Sequence, residues 1–319
     1  MSIVIEWDNA RVSELARARR MYRVLLDQIA RLTEGRVIEV FFLYDAVAID
    51  PAVIDRVTSA PDVALPAGVA MHVVGTPGLG YYELKNEGAK RAAGNIVVFL
   101  DSDVVPEPDW LERLLRSFRD PGVQLVGGNS YIEPVSVYSR AFALTWFFPL
   151  RTEDGPLQTT SHFFANNLAG RREFLGRYPF PDQPRFRGQC TTLSNTLGAE
   201  GIPIYSNPSA HVAHPPPNGV SHFIRRALCE GHDLIVEERL RGKSAPVRLG
   251  RNMRLSYWSL RAEAAHLRET IRTQRARVGL SAAAAPLALG IALLYYTTRA
   301  VGEILTRIDP RIVRRRFPI

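Results

Sequence analysis

Residues 95–115 read NIVVFLDSDVVPEPDWLERLL. The apolar run from Ile96 to Leu100 has no polar interruption, so the spacing predicts a strand buried on both faces, central in a sheet covered by helices. It ends abruptly in Asp101-Ser102-Asp103, and Pro106, Pro108 and a helix start follow. Two carboxylates at the mouth of a buried strand crowd like charge into one small space, which calls for compensation. A divalent cation supplies it. Mg²⁺ and Mn²⁺ prefer hard oxygen ligands and are commonly held by one or two carboxylates plus the phosphates of a substrate. The competing use of Asp101 and Asp103 is to cap the turn and the helix that follow.

Upstream, short β-rich runs alternate with helical segments. SIVIEW (2–7) reads as a first strand, RVSELARARRMYRVLLDQIARLTE (11–34) as a helix with Leu15, Tyr22, Leu25, Leu26 and Ile29 at helical spacing, and VIEVFFLYD (37–45) as a second strand ending on Asp45. A helix over 51–58, a Pro/Gly-punctuated loop, MHVVG (71–75) as a third strand, and YYELKNEGAKRAAG (81–94) as a helix capped by a left-handed Gly94 lead into the fourth strand. This order predicts an α/β fold with a mainly parallel sheet and helices on both faces. Ligands of such sheets bind outside the carboxyl ends of the strands, where Asp45 and Asp101 stand. Downstream, VQLVGG (123–128), PIYSN (203–207) and AHVAH (210–214) read as further strands. The stretch 130–187 is irregular and aromatic, and 220–242 and 255–277 read as charged helices.

Together, EVFFLYDA, GYYELKNEGAKRAAGNIVVFLDSDVVPEPDWLERLL, GGN and NNLAGRREFL resemble the family 2 glycosyltransferases of GT-A fold, over about residues 2–235. Gly80, Lys85, Asn86, Gly88, Asp101, Asp103, Pro108, Trp110 and Leu111 match the specific central block. The resemblance implies a nucleotide-diphosphate sugar donor and a Mn²⁺ or Mg²⁺ cofactor. It places Asp45 at the nucleobase, Lys85 near ribose or phosphates, Asn86 and Asn167 in the same binding set, Asp101 on ribose or metal, and Asp103 as main metal ligand. His214, ending the closing strand, joins the metal shell or the diphosphate. Read from their surroundings alone, Asp45 is a turn residue, Lys85 part of a solvated helix face and His214 an ordinary half-buried histidine.

Two places depart from the family, the first being the EWDN start (6–9), which lacks the usual proline-containing strand end, so nucleotide contacts by Glu6 to Asn9 are not expected. Where inverting members carry Gly-Glu-Asp, with the Asp as general base, this chain has Gly188-Gln189-Cys190. Gln189 can hydrogen-bond an acceptor but cannot take its proton, and Cys190 could do so only as a thiolate. Two ways to an active enzyme stay open: Asp182, in PFPDQ, swings in as base, or the acceptor is acidic enough, or gives its proton to the substrate, without one. A non-catalytic partner that binds nucleotide sugar or lipid is the alternative to an enzyme.

The chain has 319 residues, 46% hydrophobic, with a formal net charge of +8 and arginines crowding toward the C-terminus. That skew suggests an anionic surface, and no aromatic-basic platform points to nucleic acid. Two cysteines exclude a disulfide framework, and the N-terminus resembles no signal peptide, so a reducing, cytoplasmic setting is expected. Residues 278–298 carry no charge, lie between Arg277 and Arg299, and are about long enough to cross or enter a bilayer. The expectation is a transferase domain over 1–235 and a basic helical region over 236–319, its apolar segment associated with the cytoplasmic face of a membrane. The acceptor would then be lipid-linked or a polysaccharide.

Overall fold

A computed structural model describes residues 1–11, 14–32, 37–59, 65–242 and 249–317. The two ends of the first expected helix, at 12–13 and 33–34, and most of the loop before the third strand, at 60–64, lie outside the described residues. The chain divides into two compact units, one built from 1–131, 151–182 and 189–214, the other from 132–150, 183–188 and 215–319.

The first unit is built on a mixed sheet. Its parallel half consists of β1 (Ser2–Glu6), β2 (Ile38–Asp45), β3 (Val69–Thr76) and β4 (Ile96–Asp101), in the order β3-β2-β1-β4. The sheet then continues through β8 (Asn167–Arg171), β6 (Leu125–Ile132), β9 (Ile204–His214) and β5 (Val105–Pro106), with β7 (Gln158–Thr160) also paired to β9. β8 runs antiparallel to both β4 and β6, and β5 and β7 antiparallel to β9, so the sheet changes hand of pairing at β4. That strand is central, as its unbroken apolar run predicts. PIYSN and AHVAH, expected as two strands, form the single strand β9, which takes different partners on either side of Pro208.

Alternation along the strands fills two cores. Ile3, Ile5, Val98 and Leu100 join one cluster with Phe42, Trp7 and Trp110, while Val4, Val97 and Phe99 join another with Tyr81, Tyr82, Phe180 and Cys190. Fully burying such a side chain stabilises by about 1.5–3 kcal/mol, and burial on both faces is what keeps β4 at the centre. Helix α1 (Leu15–Ala30) seals the first face with Ala18, Met21, Tyr22, Leu25 and Ile29 at helical spacing. α2 (Ala52–Thr58) adds Ile54 and Val57.

Helix α3 (Tyr81–Arg91) lies very close to the sheet because Gly88 has no side chain; a Cβ there would meet Val4 Cγ1 at 2.4 Å. Gly94 does not take the left-handed cap expected of it, since it is absent from the positive-φ glycines among the described residues. Its bareness serves a different contact: a Cβ would stand 2.5 Å from the Met1 backbone. α4 (Trp110–Arg116) follows β5. The irregular stretch contains α5 (Val137–Thr145) in the second unit and α6 (Arg172–Arg177) in the first, where α7 (Gln189–Ala199) precedes β9.

In the second unit, α10 (Ala285–Ile308) packs with α5, α8 (Gly219–Leu240), α9 (Leu249–Gln274) and α11 (Pro310–Arg316). The boundary expected at 235/236 falls within α8, whereas the compact units part at 214/215. The apolar segment 278–298 is not one helix. Arg275–Val278 is a 3-10 turn, Gly279 is left-handed at φ 65°, and α10 starts only at Ala285 with Pro286 in its first turn. Among the described residues no helix is long and apolar enough to cross a membrane, which overturns the spanning form of the expectation. α10 instead packs by close approach: a Cβ on Gly231 would be 2.1 Å from the Arg299 carbonyl oxygen, and one on Gly302 would be 2.3 Å from that of Leu228.

Candidate functional site

Parallel pairing brings the carboxyl ends of β1, β2 and β4 to one edge of the sheet. Register sets Glu6 beside Asp101 on one side and beside Leu43 on the other. Asp101 is buried, 2% exposed, and its charge is met from three directions. Lys85 Nζ donates to Oδ1 at 2.7 Å, Tyr81 Oη donates to the carboxylate at 2.9 Å, and Asn9 Nδ2 donates to Oδ2 at 3.0 Å. The expectation of a solvated Lys85 fails: it is fully buried and sits 4.7 Å from the centre of the Tyr81 ring. Tyr81 and Lys85 stand four apart on α3, hence on one face.

Asn9 also donates to Glu6 Oε1 at 2.9 Å, and the Asp8 amide donates to Glu6 Oε2 at 2.8 Å. Glu6 and Asn9 lie in the EWDN start that departs from the family, and Tyr81 is not singled out by the sequence. The i, i+4 spacing before Lys85 and the charged end of the first parallel strand were the available signals.

Asp103 is 3% exposed, and its strand-end backbone is pinned by Arg17, whose Nε donates to the Asp103 carbonyl at 2.6 Å and whose Nη2 donates to that of Ala213 at 2.6 Å. β5 pairs antiparallel with β9 through Val105–Ala213 and Pro106–Val212; Asp103 precedes β5 by two residues and His214 is the last residue of β9. A carboxylate and an imidazole thus come from neighbouring strands, while buried Glu6 and Asp8 add negative charge. The buried Ser102 hydroxyl has no partner among the described residues. This donor set fits a hard divalent cation whose shell is completed by diphosphate oxygens and water. By themselves, no three His, Cys, Asp or Glu side chains among the described residues form a metal-holding group.

Asp45 is half-buried at the end of β2, and its Oδ1 accepts from the Val47 amide at 3.0 Å and the Gly78 amide at 2.8 Å. It is therefore a turn residue, at the ligand edge of the sheet. Asn86 and Asn167 differ from the expectation. Asn86 holds the Phe180 backbone at both ends, donating to its carbonyl at 2.8 Å and accepting from its amide at 3.0 Å. Asn167 is fully buried; it accepts from Trp110 Nε1 at 2.8 Å and donates to the Ala210 carbonyl at 2.9 Å, so it locks the interior and faces no ligand.

The three candidates for a base separate clearly. Gln189 and Cys190 are buried at the start of α7, each 6% exposed. Cys190 Sγ lies 3.4 Å from Tyr82 Oη, and burial pushes its thiol up to about 11. At neutral pH it is therefore a protonated, inert thiol, and the thiolate option is withdrawn. Asp182 alone is exposed, two residues beyond the clamped Phe180. Cys190→Ala is expected to leave an enzymatic pH–rate profile below pH ~9 unshifted, because a group titrating two units higher contributes no inflection there; a lost limb would return Cys190 to the chemistry.

Known proteins resemble this chain in the same region. Residues 70–178 match Glycosyl transferase family 2. Glycosyltransferase AglE of Haloferax volcanii is 44% identical over 50 residues, 16% of this chain and 16% of its own length. The pre-mycofactocin glycosyltransferase of Mycobacterium tuberculosis is 29% identical over 169 residues, which is 51% of this chain and 36% of that protein. The chain thus matches well under half the length of these curated relatives. The solved structure of mannosyltransferase PcManGT from Pyrobaculum calidifontis, in complex with GDP-Man and Mn²⁺, superimposes with a TM-score of 0.51 at 18% identity, covering 98% of this chain and 86% of that one. The fold is GT-A-like, and the resemblance to family 2 glycosyltransferases is supported.

Proposed function

We propose, taking the likeness to family 2 glycosyltransferases as premise, that this chain transfers a sugar from a nucleoside-diphosphate sugar to a lipid-linked or polysaccharide acceptor at the cytoplasmic face of a membrane. The observation that carries the reading is the edge where β4 ends, where the buried Asp101 is neutralised by Lys85 and a second buried carboxylate, Asp103, follows it. The Mn²⁺ of the P. calidifontis structure supports the choice of Mn²⁺ or Mg²⁺.

Asp103 and His214 would hold the ion, which when bound neutralises the diphosphate leaving group as a Lewis acid. Lys85, Tyr81 and Asn9 keep the Asp101 carboxylate in one position for the ribose. Asp45, fixed by the Gly78 amide, stands at the end of β2 for the nucleobase. Asp182 takes the acceptor proton, since Gln189 cannot ionise and Cys190 stays protonated.

A thermal-shift screen of UDP- and GDP-sugars with and without Mn²⁺ tests this. One donor at about 100 times its Kd is expected to stabilise by about 2.7 kcal/mol, in the presence of metal only. A screen in which no nucleotide sugar raises the melting temperature rejects the reading. A non-catalytic donor-binding partner is favoured by one observation, the lack of an ionised side chain at the head of α7. Slow metal-dependent donor hydrolysis by the purified chain would decide against it.

A further inference from the structure

α10 is amphipathic in the reverse sense. Toward α8 and α9 it turns small, polar and charged residues: Ala288, Ala292 and Gly302 are buried, and Arg299 lies 3.3 Å from Glu263, 3.6 Å from Glu230 and 3.7 Å from Glu303. Arg307 pairs with Glu238 at 3.1 Å. Tyr295 is buried and donates to Glu230 at 2.8 Å. Its outward face carries the large aliphatics. Leu287 is 61% exposed, Leu294 61%, Val301 45% and Ile308 54%. They recur every seventh residue, so they form one stripe along the helix.

A helix in water buries such residues and exposes its charges. Small residues at helix contacts with large aliphatics outside is the arrangement of helices that face lipid. The charges nearby say what kind of surface covers the stripe. Arg277 is exposed before α10, and Arg311, Arg314, Arg315 and Arg316 are exposed on α11 just after it. Cations at both ends of a helix too polar to span fit one that lies in the plane of an anionic leaflet.

We propose that the Leu287–Leu294–Val301–Ile308 stripe inserts into an anionic phospholipid surface, with the α11 arginines on its headgroups. The inference deepens the membrane part of the function proposed above and is independent of the donor chemistry. The apolar stripe supplies insertion, and the arginines supply preference for negative charge. The surface belongs to the second unit alone.

Vesicle flotation of the full chain tests the proposal, using phosphatidylcholine alone and phosphatidylcholine mixed with phosphatidylglycerol. The wild-type chain is expected to float with the anionic vesicles at least tenfold more than with the neutral ones. Leu287→Ser/Leu294→Ser should lose binding to both, and Arg314→Gln/Arg315→Gln/Arg316→Gln should lose only the anionic preference. These positions are exposed, so both variants should keep the wild-type melting temperature. A third variant, Val301→Ser, provides a milder step if the double change fails to fold.

Wild-type chain that stays off anionic vesicles overturns the proposal, as does unchanged binding by the double serine variant. A dimer in sedimentation velocity that the serine changes convert to monomer, with vesicle binding intact, assigns the stripe to a second copy and also overturns it. Donor-dependent thermal stabilisation is measured in parallel. Wild-type chain that stays off anionic vesicles yet is stabilised by a donor rejects the surface alone, and wild-type chain that binds vesicles yet is stabilised by no donor rejects the transferase reading alone.

Discussion

Asp103→Ala is expected to abolish the Mn²⁺-dependent part of donor binding and to lower sugar transfer by at least about 100-fold. The size follows from position. Asp101 is already engaged by Lys85, Tyr81 and Asn9, so it cannot stand in for its neighbour without breaking those bonds. His214 would then be the one remaining protein ligand at that strand pair, and a neutral imidazole alone holds Mg²⁺ or Mn²⁺ poorly. The Arg17 bonds go to backbone carbonyls and survive the change, so the loop should keep its shape. Titration calorimetry of the donor nucleotide with and without Mn²⁺ reads the effect. Equal metal-dependent affinity in wild type and variant would remove Asp103 from the metal site.

Lys85→Met is expected to destabilise the protein by about 3–5 kcal/mol, the cost of leaving one partner of a buried ion pair without the other. The Lys85 side chain is 0% exposed and that of Asp101 3%, so water cannot replace the lost cation. Methionine fills much of the same volume. The double variant Lys85→Met/Asp101→Asn should recover a large part of the loss, because both charges leave together. Urea denaturation of the three variants supplies the cycle. A single variant as stable as wild type would show that the pair does not hold the β4 edge.

The parallel half of the sheet could be read from the sequence because its strands bury both faces, as β4 does with Ile96 to Leu100, and its helices punctuate them at ordinary spacing. The two aspartates were readable for the same reason, as charge following an unbroken apolar run. Three-dimensional neighbours were not. Asn9 meets Asp101 across 92 positions of sequence, and Asn86 meets Phe180 across 94. Nothing local distinguishes an asparagine that clamps a loop from one that meets a ligand, which is why Asn86 and Asn167 were placed with the nucleotide. The fate of Lys85 likewise turned on the bare Gly88, which draws α3 onto β1 far enough to bury an ammonium group. The apolar stretch 278–298 read as a segment that crosses or enters a bilayer because hydropathy does not show where a helix begins; the chain turns at the left-handed Gly279 and α10 starts only at Ala285.

Lys85 and Asn86 are consecutive on α3, yet one grips the end of β4 and the other the segment leading to Asp182. The carboxylate proposed for the ribose, Asp101, and the segment that leads to the one proposed for the acceptor, Asp182, are therefore tied to a common turn of helix. A substitution that shifts this turn is therefore expected to be felt at both places at once.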